Sequence, residues 1–229
     1  KIPINTNNQS EGYLAFKDKL YIFFSIWDKS NKREQLFSRE ISYETGEFIG
    51  NEKLLLAIDG KINPENGKFH ISNCRDSSKF MIRYLKEAEY KDDSKNIDKV
   101  GLYVFDMGLK KIWGREIAMP YTEKKMDLDD FALDSKGNGY IAAKVYHDIS
   151  ATQKFMGEIV KYHFEIFLAN SNKELLITKV DLGEKFFVGS IIMQEGPNDN
   201  MICVGYYNNG ENYYNVSGLY KFNVKNGTE

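Results

Sequence analysis

The side chains of this sequence that could do chemistry are few: three histidines, two cysteines and some clustered carboxylates. His147 and His163 flank one connection between strand-like segments, with Asp148 beside the first, so their rings could approach each other. A metal centre would also need a third ligand and a group to orient the imidazoles. Histidines at loop stems more commonly hydrogen-bond to backbone, and the expectation is no metal and no cofactor. The run Asp127-Leu128-Asp129-Asp130 would suit general acid–base work if two carboxylates faced one cleft. Strand alternation instead sends Asp127 and Asp129 to one side and Asp130 to the other, so the run reads as a solvated strand entry. Asp134-Ser135-Lys136-Gly137-Asn138-Gly139 carries a lysine where a calcium loop needs an oxygen, and reads as a tight turn. Phosphate-binding glycine loops and Gly-x-Ser-x-Gly elbows are missing. Asn215-Val216-Ser217 and Asn226-Gly227-Thr228 fit the glycosylation pattern, which arises by chance and needs a glycosylating host. Cys74 and Cys203 lie inside apolar strand patterns and read as buried free thiols.

The 229 residues carry 42% hydrophobic and 14% aromatic side chains, enough for a substantial core. Fifteen Tyr and fifteen Phe favour half-buried pleated surfaces over helices. A net charge of -2 with scattered lysines offers no basic stripe for nucleic acid. The longest apolar run, Leu20 to Trp27, is far short of the roughly 18 residues that span a bilayer. No membrane span is expected.

The elements that must position any site repeat along the chain. Gly101-Leu102-Tyr103-Val104-Phe105-Asp106 returns as Gly218-Leu219-Tyr220-Lys221-Phe222-Asn223, with Phe164 to Leu168 midway and a weaker copy at Leu36 to Ile41. A second strand type recurs in step at Leu20–Phe24, Phe80–Tyr84, Tyr140–Tyr146 and Met201–Tyr206, each preceded by a turn and another strand beginning near Tyr13, Phe69, Leu128 and Phe186. Each unit therefore reads strand A, short turn, strand B, connection, strand C, short turn, strand D. Units of four antiparallel strands at this period mark an all-β chain of the β-propeller class. The blades run approximately over 10–60, 67–122, 127–182 and 185–229, as one domain or part of one. Residues 1–6 read as a strand of a neighbouring or closing blade, and 152–162 as loop or strand extension. Two arrangements stay open: a closed four-bladed ring, or a section of a ring of six to eight whose remaining blades belong to the same polypeptide.

The segments Leu102 to Tyr146 and Val188 to Phe222, with Cys203 to Tyr207 and Gly218 to Phe222 as their marked elements, resemble uncharacterised propeller-like proteins of Bacteroidetes-type bacteria. The resemblance implies an exported location (secreted, periplasmic or cell-surface) and no particular chemistry. Kelch, Gly-His…Trp-Asp and sialidase-box signatures are missing.

The A–B and C–D turns are short and share one end of every sheet. The B–C connections are read as long, at Asp28 to Gln35, Lys86 to Asp98, His147 to Val160 and Asn208 to Ser217, and emerge at the other end. Long loops converging on a rigid scaffold commonly carry binding. Aromatic residues at their stems (Trp27, Tyr84, Tyr146, Tyr207) and within them (Tyr90, Phe155, Tyr213, Tyr214) are the candidate ligand-binding set. The competing reading of the stem rings is plain blade packing. The expectation is a non-enzymatic exported scaffold binding a protein or glycan at that end. The alternative is a hydrolase or lyase with its site at the propeller channel on the same face, marked by convergent carboxylates or a perturbed histidine.

Overall fold

The computed structural model describes residues 8–16, 18–64, 67–147, 162–172, 174–197, 200–210 and 215–224. These form fifteen strands in four sheets, each joining consecutive strands in chain order. The first sheet holds β1 (Gln9–Phe16), β2 (Lys19–Asp28), β3 (Arg33–Ile41) and β4 (Phe48–Asp59). The second holds β5 (His70–Asn73), β6 (Lys79–Leu85), β7 (Ile97–Asp106) and β8 (Lys111–Thr122). The third holds β9 (Met126–Leu133), β10 (Gly139–Tyr146), β11 (Tyr162–Ala169) and β12 (Leu176–Val180). The fourth holds β13 (Phe186–Glu195), β14 (Met201–Asn208) and β15 (Gly218–Val224). No helix among the described residues is long and apolar enough to cross a membrane.

The chain divides into two compact units. One comprises Lys1–Asn73, Ser77–Glu89 and Lys99–Ala118; the other comprises Cys74–Asp76, Tyr90–Asp98 and Met119–Glu229. In the first unit, the opening strands β1 and β5 of successive sheets pack together. Alternate residues of β2, Tyr21 and Phe23, face Phe80, Ile82 and Tyr84 of β6 in a single buried cluster. Phe23 meets Phe80 edge-on at 5.8 Å, and Phe80 stacks on Phe105 at 5.3 Å. The second unit repeats the plan: β9 packs on β13, and Tyr140, Ala142, Phe164 and Ile166 share a core with Phe187, Met193, Cys203 and Tyr220. An antiparallel meander that packs on the next through its first strand is the construction of a propeller blade, and the chain is an all-β protein of that class.

In each unit, carboxylates on the first opening strand tie down the start or edge of the next sheet's opening strand. Glu11 Oε2 accepts from the backbone N–H groups of Lys68 and Phe69 at 3.2 and 3.1 Å. In the second unit, Asp129 and Asp130 accept from the N–H groups of Ile191 and Met193 at 2.8 and 2.6 Å. Strict alternation would have split that acidic pair. The pairing of β9 with β10 skips Asp129 in a bulge, which disrupts the alternation and lets both carboxylates reach β13. The acidic run is thus an inter-sheet clamp rather than a solvated entry. Asp129 also pairs with the largely buried Lys144 at 3.2 Å.

The glycines of the repeated Gly-Leu-Tyr motif have a specific duty. Gly101 lies directly across from Tyr84, and Gly218 from Tyr207. A Cβ at Gly101 would fall within the ring of Tyr84, and one at Gly218 would crowd that of Tyr207. The glycine admits the ring flat against the backbone. Since Tyr84 is 2% exposed, Gly101→Ala is expected to cost about 1–3 kcal/mol through overpacking, read as a lowered urea midpoint. Tyr84→Ala should cost less in the Gly101→Ala background than in the wild type, because the ring that the new methyl crowds is then gone.

The first B–C connection departs from expectation. Residues 29–32 form a tight turn in which Asp28 Oδ1 accepts from the N–H groups of Ser30 and Asn31 at 3.0 and 3.1 Å. Lys32 takes φ 52° to complete it. An aspartate that caps its own turn needs no longer loop. The expected strand at 1–6 and the 152–161 part of the segment read as loop or strand extension lie outside the described residues; Tyr162 opens β11.

Candidate functional site

The end of the second unit that carries the B–C connections and D–A links gathers titratable side chains from five elements. His147 follows β10 and is exposed; His163 is the second residue of β11 and half-buried. His147 Nε2 lies 2.7 Å from His163 Nδ1. The other nitrogen of His163, Nε2, lies 3.0 Å from Glu165 Oε1, which also accepts from the Tyr121 hydroxyl at 3.1 Å. The result is one hydrogen-bonded chain, His147–His163–Glu165–Tyr121, running from solvent to a buried carboxylate. Burial and Glu165 together push the Tyr121 phenol up. The histidines do meet, as their spacing allowed, and they partner each other and Glu165.

A second group lies on the same end. Asp98 at the start of β7 is 9% exposed. Burial, then the charges of Glu123 and Asp127, push its carboxyl up to about 6. Glu123, in the link between β8 and β9, is raised as well, first by burial. Asp127 accepts from the Tyr146 hydroxyl.

One buried side chain braces the connection 86–96 from within. Buried Asn96 accepts from the Tyr90 N–H at 2.8 Å through Oδ1 and donates Nδ2 to the Tyr90 carbonyl at 2.6 Å. Asp92 caps the turn that follows through Ser94. The Tyr90 ring is left 56% exposed on an ordered loop.

The other candidate aromatics divide differently. Trp27 is half-buried near the end of β2, opposite Glu34. Tyr84 is buried over Gly101, donating its hydroxyl to Glu116 at 2.8 Å and meeting Phe69 edge-on. Tyr146 is buried against Tyr162 at 5.9 Å. Tyr207 is half-buried over Gly218, with Lys185 Nζ 4.1 Å from its ring centroid. Each of these three rings is used within its own sheet, and of the described candidates only Tyr90 stands clear of the protein. Phe155, Tyr213 and Tyr214 lie outside the described residues. Glu165, Tyr121, Asn96, Asp98 and Glu123 were not singled out by sequence reasoning. The available signal was a charge inside an apolar strand, as in Phe164-Glu165-Ile166.

Both cysteines are buried and neither is in a disulfide; Cys74 donates its thiol to Asp76 at 3.0 Å, and burial pushes Cys203 up to about 12. Asp134, the turn residue set aside as a calcium ligand, spends its carboxylate on Asn138 and on the Tyr140 hydroxyl.

No protein-family model matches the chain, and no curated protein matches it. Among solved structures it is similar to a sucrose-6-phosphate hydrolase from Lactobacillus gasseri (12% identity, 94% of this chain, 46% of that one, TM-score 0.41). It is also similar to an acylaminoacyl peptidase from Pyrococcus horikoshii (13%, 92% and 39%, TM-score 0.34). A third likeness is to a GH43 endo-arabinanase from Bacillus licheniformis (9%, 92% and 71%, TM-score 0.35). The chain spans less than half the length of the first two. Likeness at this level assigns neither activity nor substrate.

Proposed function

We propose that this chain is a non-enzymatic binding scaffold that takes a protein or glycan ligand at the B–C end of its sheets. The observation that carries the reading is Tyr90: an exposed ring on a loop already fixed by Asn96. A large amphipathic side chain held in place loses little entropy on binding and makes an effective anchor. An exported location, implied by the resemblance to propeller-like envelope proteins, belongs to the same proposal. The test is a screen of soluble polysaccharides and purified extracellular proteins, followed by calorimetry on the best binder. Tyr90→Ala is expected to weaken that binding by about 2 kcal/mol, or thirtyfold, with the thermal transition unmoved. Equal affinity of wild type and variant would refute the reading.

A second reading, a hydrolase or lyase, is favoured by the His147–His163–Glu165 chain beside the Asp98–Glu123–Asp127 group, the convergence that acid–base chemistry needs. It requires turnover of a chromogenic glycoside or ester panel that His163→Ala abolishes and Tyr90→Ala leaves intact.

A further inference from the structure

The geometry of the two histidines points beyond a hydrogen bond. His163 pairs with Val145 across the sheet, so His147, two residues on, leaves β10 beside it. The rings are 4.9 Å apart at their centroids and tilted by 48°. A carboxylate on one ring nitrogen fixes tautomer and orientation. With Glu165 accepting from His163 Nε2, the lone pair of His163 Nδ1 is aimed at His147 Nε2. Tyr121 in turn steadies Glu165, whose Oε2 is buried without a hydrogen-bond partner among the described residues. Two ring nitrogens converging on one point can share a proton or a metal ion.

We propose that His147 and His163 bind one divalent first-row transition-metal ion through Nε2 and Nδ1. The ion takes the place of the hydrogen between them, and the proton displaced from His147 Nε2 is replaced by one taken up from water on Nδ1, so both imidazoles are neutral ligands and no net proton is released. Metal–nitrogen bonds of about 2.0–2.1 Å at a tetrahedral angle set the two nitrogens about 3.3 Å apart. The rings need only open from 2.7 Å, which exposed His147 at a strand end can supply by rotation. Among the described residues no group of three or more His, Cys, Asp or Glu is placed to hold a metal. The described residues therefore furnish two ligands, the two ring nitrogens. Such a site holds an exchangeable ion and ranks metals by the affinity of imidazole, with Cu(II) first and Mn(II) last. The inference stands apart from the ligand reading at Tyr90.

Calorimetry of the whole chain with Cu(II), Ni(II), Zn(II) and Mn(II), with electron paramagnetic resonance of the one-equivalent Cu(II) form, tests it. The expected result is one Cu(II) per chain with superhyperfine structure from two nitrogens and affinities falling from Cu(II) to Mn(II). His147→Ala and His163→Ala should each weaken Cu(II) at least tenfold. Glu165→Gln, which touches no metal, should also weaken it on the order of tenfold by loosening His163. His147→Gln, at an exposed position, serves as a fold-neutral check, with circular dichroism unchanged. Failure to bind, a spectrum without nitrogen coupling, or affinity unchanged in both histidine variants overturns the proposal.

Discussion

Glu195→Ala is expected to destabilise the second unit by about 3–5 kcal/mol, because two short hydrogen bonds to its charge, contributing roughly 1.5–3 kcal/mol each, are lost together with a longer, weaker third. Glu195 ends β13 and is only 6% exposed. Its Oε1 accepts from the Ser135 N–H at 2.9 Å; its Oε2 accepts from the Ser135 hydroxyl at 2.8 Å and from the Arg75 N–H at 3.3 Å. One carboxylate thus gathers two A–B turns, and alanine would remove the acceptor of all three bonds at once. Glu195→Gln keeps the shape but loses the charge and one acceptor oxygen, so it should fall between. Urea unfolding followed by fluorescence measures both. A loss below 1 kcal/mol for the alanine would mean that the turns are held by something else.

The opposite sign is expected for Asp98→Asn, which should stabilise the protein by roughly 3 kcal/mol at pH 8 and by almost nothing at pH 4. The Asp98 carboxyl stands at about 6 in the folded protein against an ordinary value of 3.8. Between those values the folded state holds a proton that the unfolded chain releases, so wild-type stability is highest below 3.8 and falls as pH rises through 6. Asparagine carries no charge to bury near Glu123 and Asp127 and is indifferent to that range. Melting temperatures of the two proteins should lie close together at pH 4, separate between about pH 4 and 6, and stay apart above that. Parallel curves across that interval would show that Asp98 ionises without penalty.

Much of the scaffold was legible because strands are local. Period-two burial in Met201 to Tyr206 and a short continuous apolar run at Phe80 to Ile82, each bounded by turn residues, mark β14 and β6 without knowledge of their partners. The repeated Gly101 and Gly218 were visible as letters, but their duty was not, since the rings they admit belong to the preceding strand. The roles of Asp129 and Asp130 were misread for one physical reason: a bulge at Asp129 breaks the alternation on which the reading relied. The turn after Asp28 was expected to be long because its self-capping hydrogen bonds leave only a weak pattern in the sequence. The site chain was half legible. His147 and His163 bracket a connection, whereas Tyr121 reaches Glu165 from another sheet, and pattern within a strand says nothing of that.

Hydrogen–deuterium exchange with and without the best binder from the polysaccharide and protein screen tests the central claim, that the B–C end is the working surface. The account predicts protection at residues 86–96 and 123–125 and none at the turns 107–110 and 134–138. Protection confined to those turns would place the working surface at the other end of the sheets and contradict it.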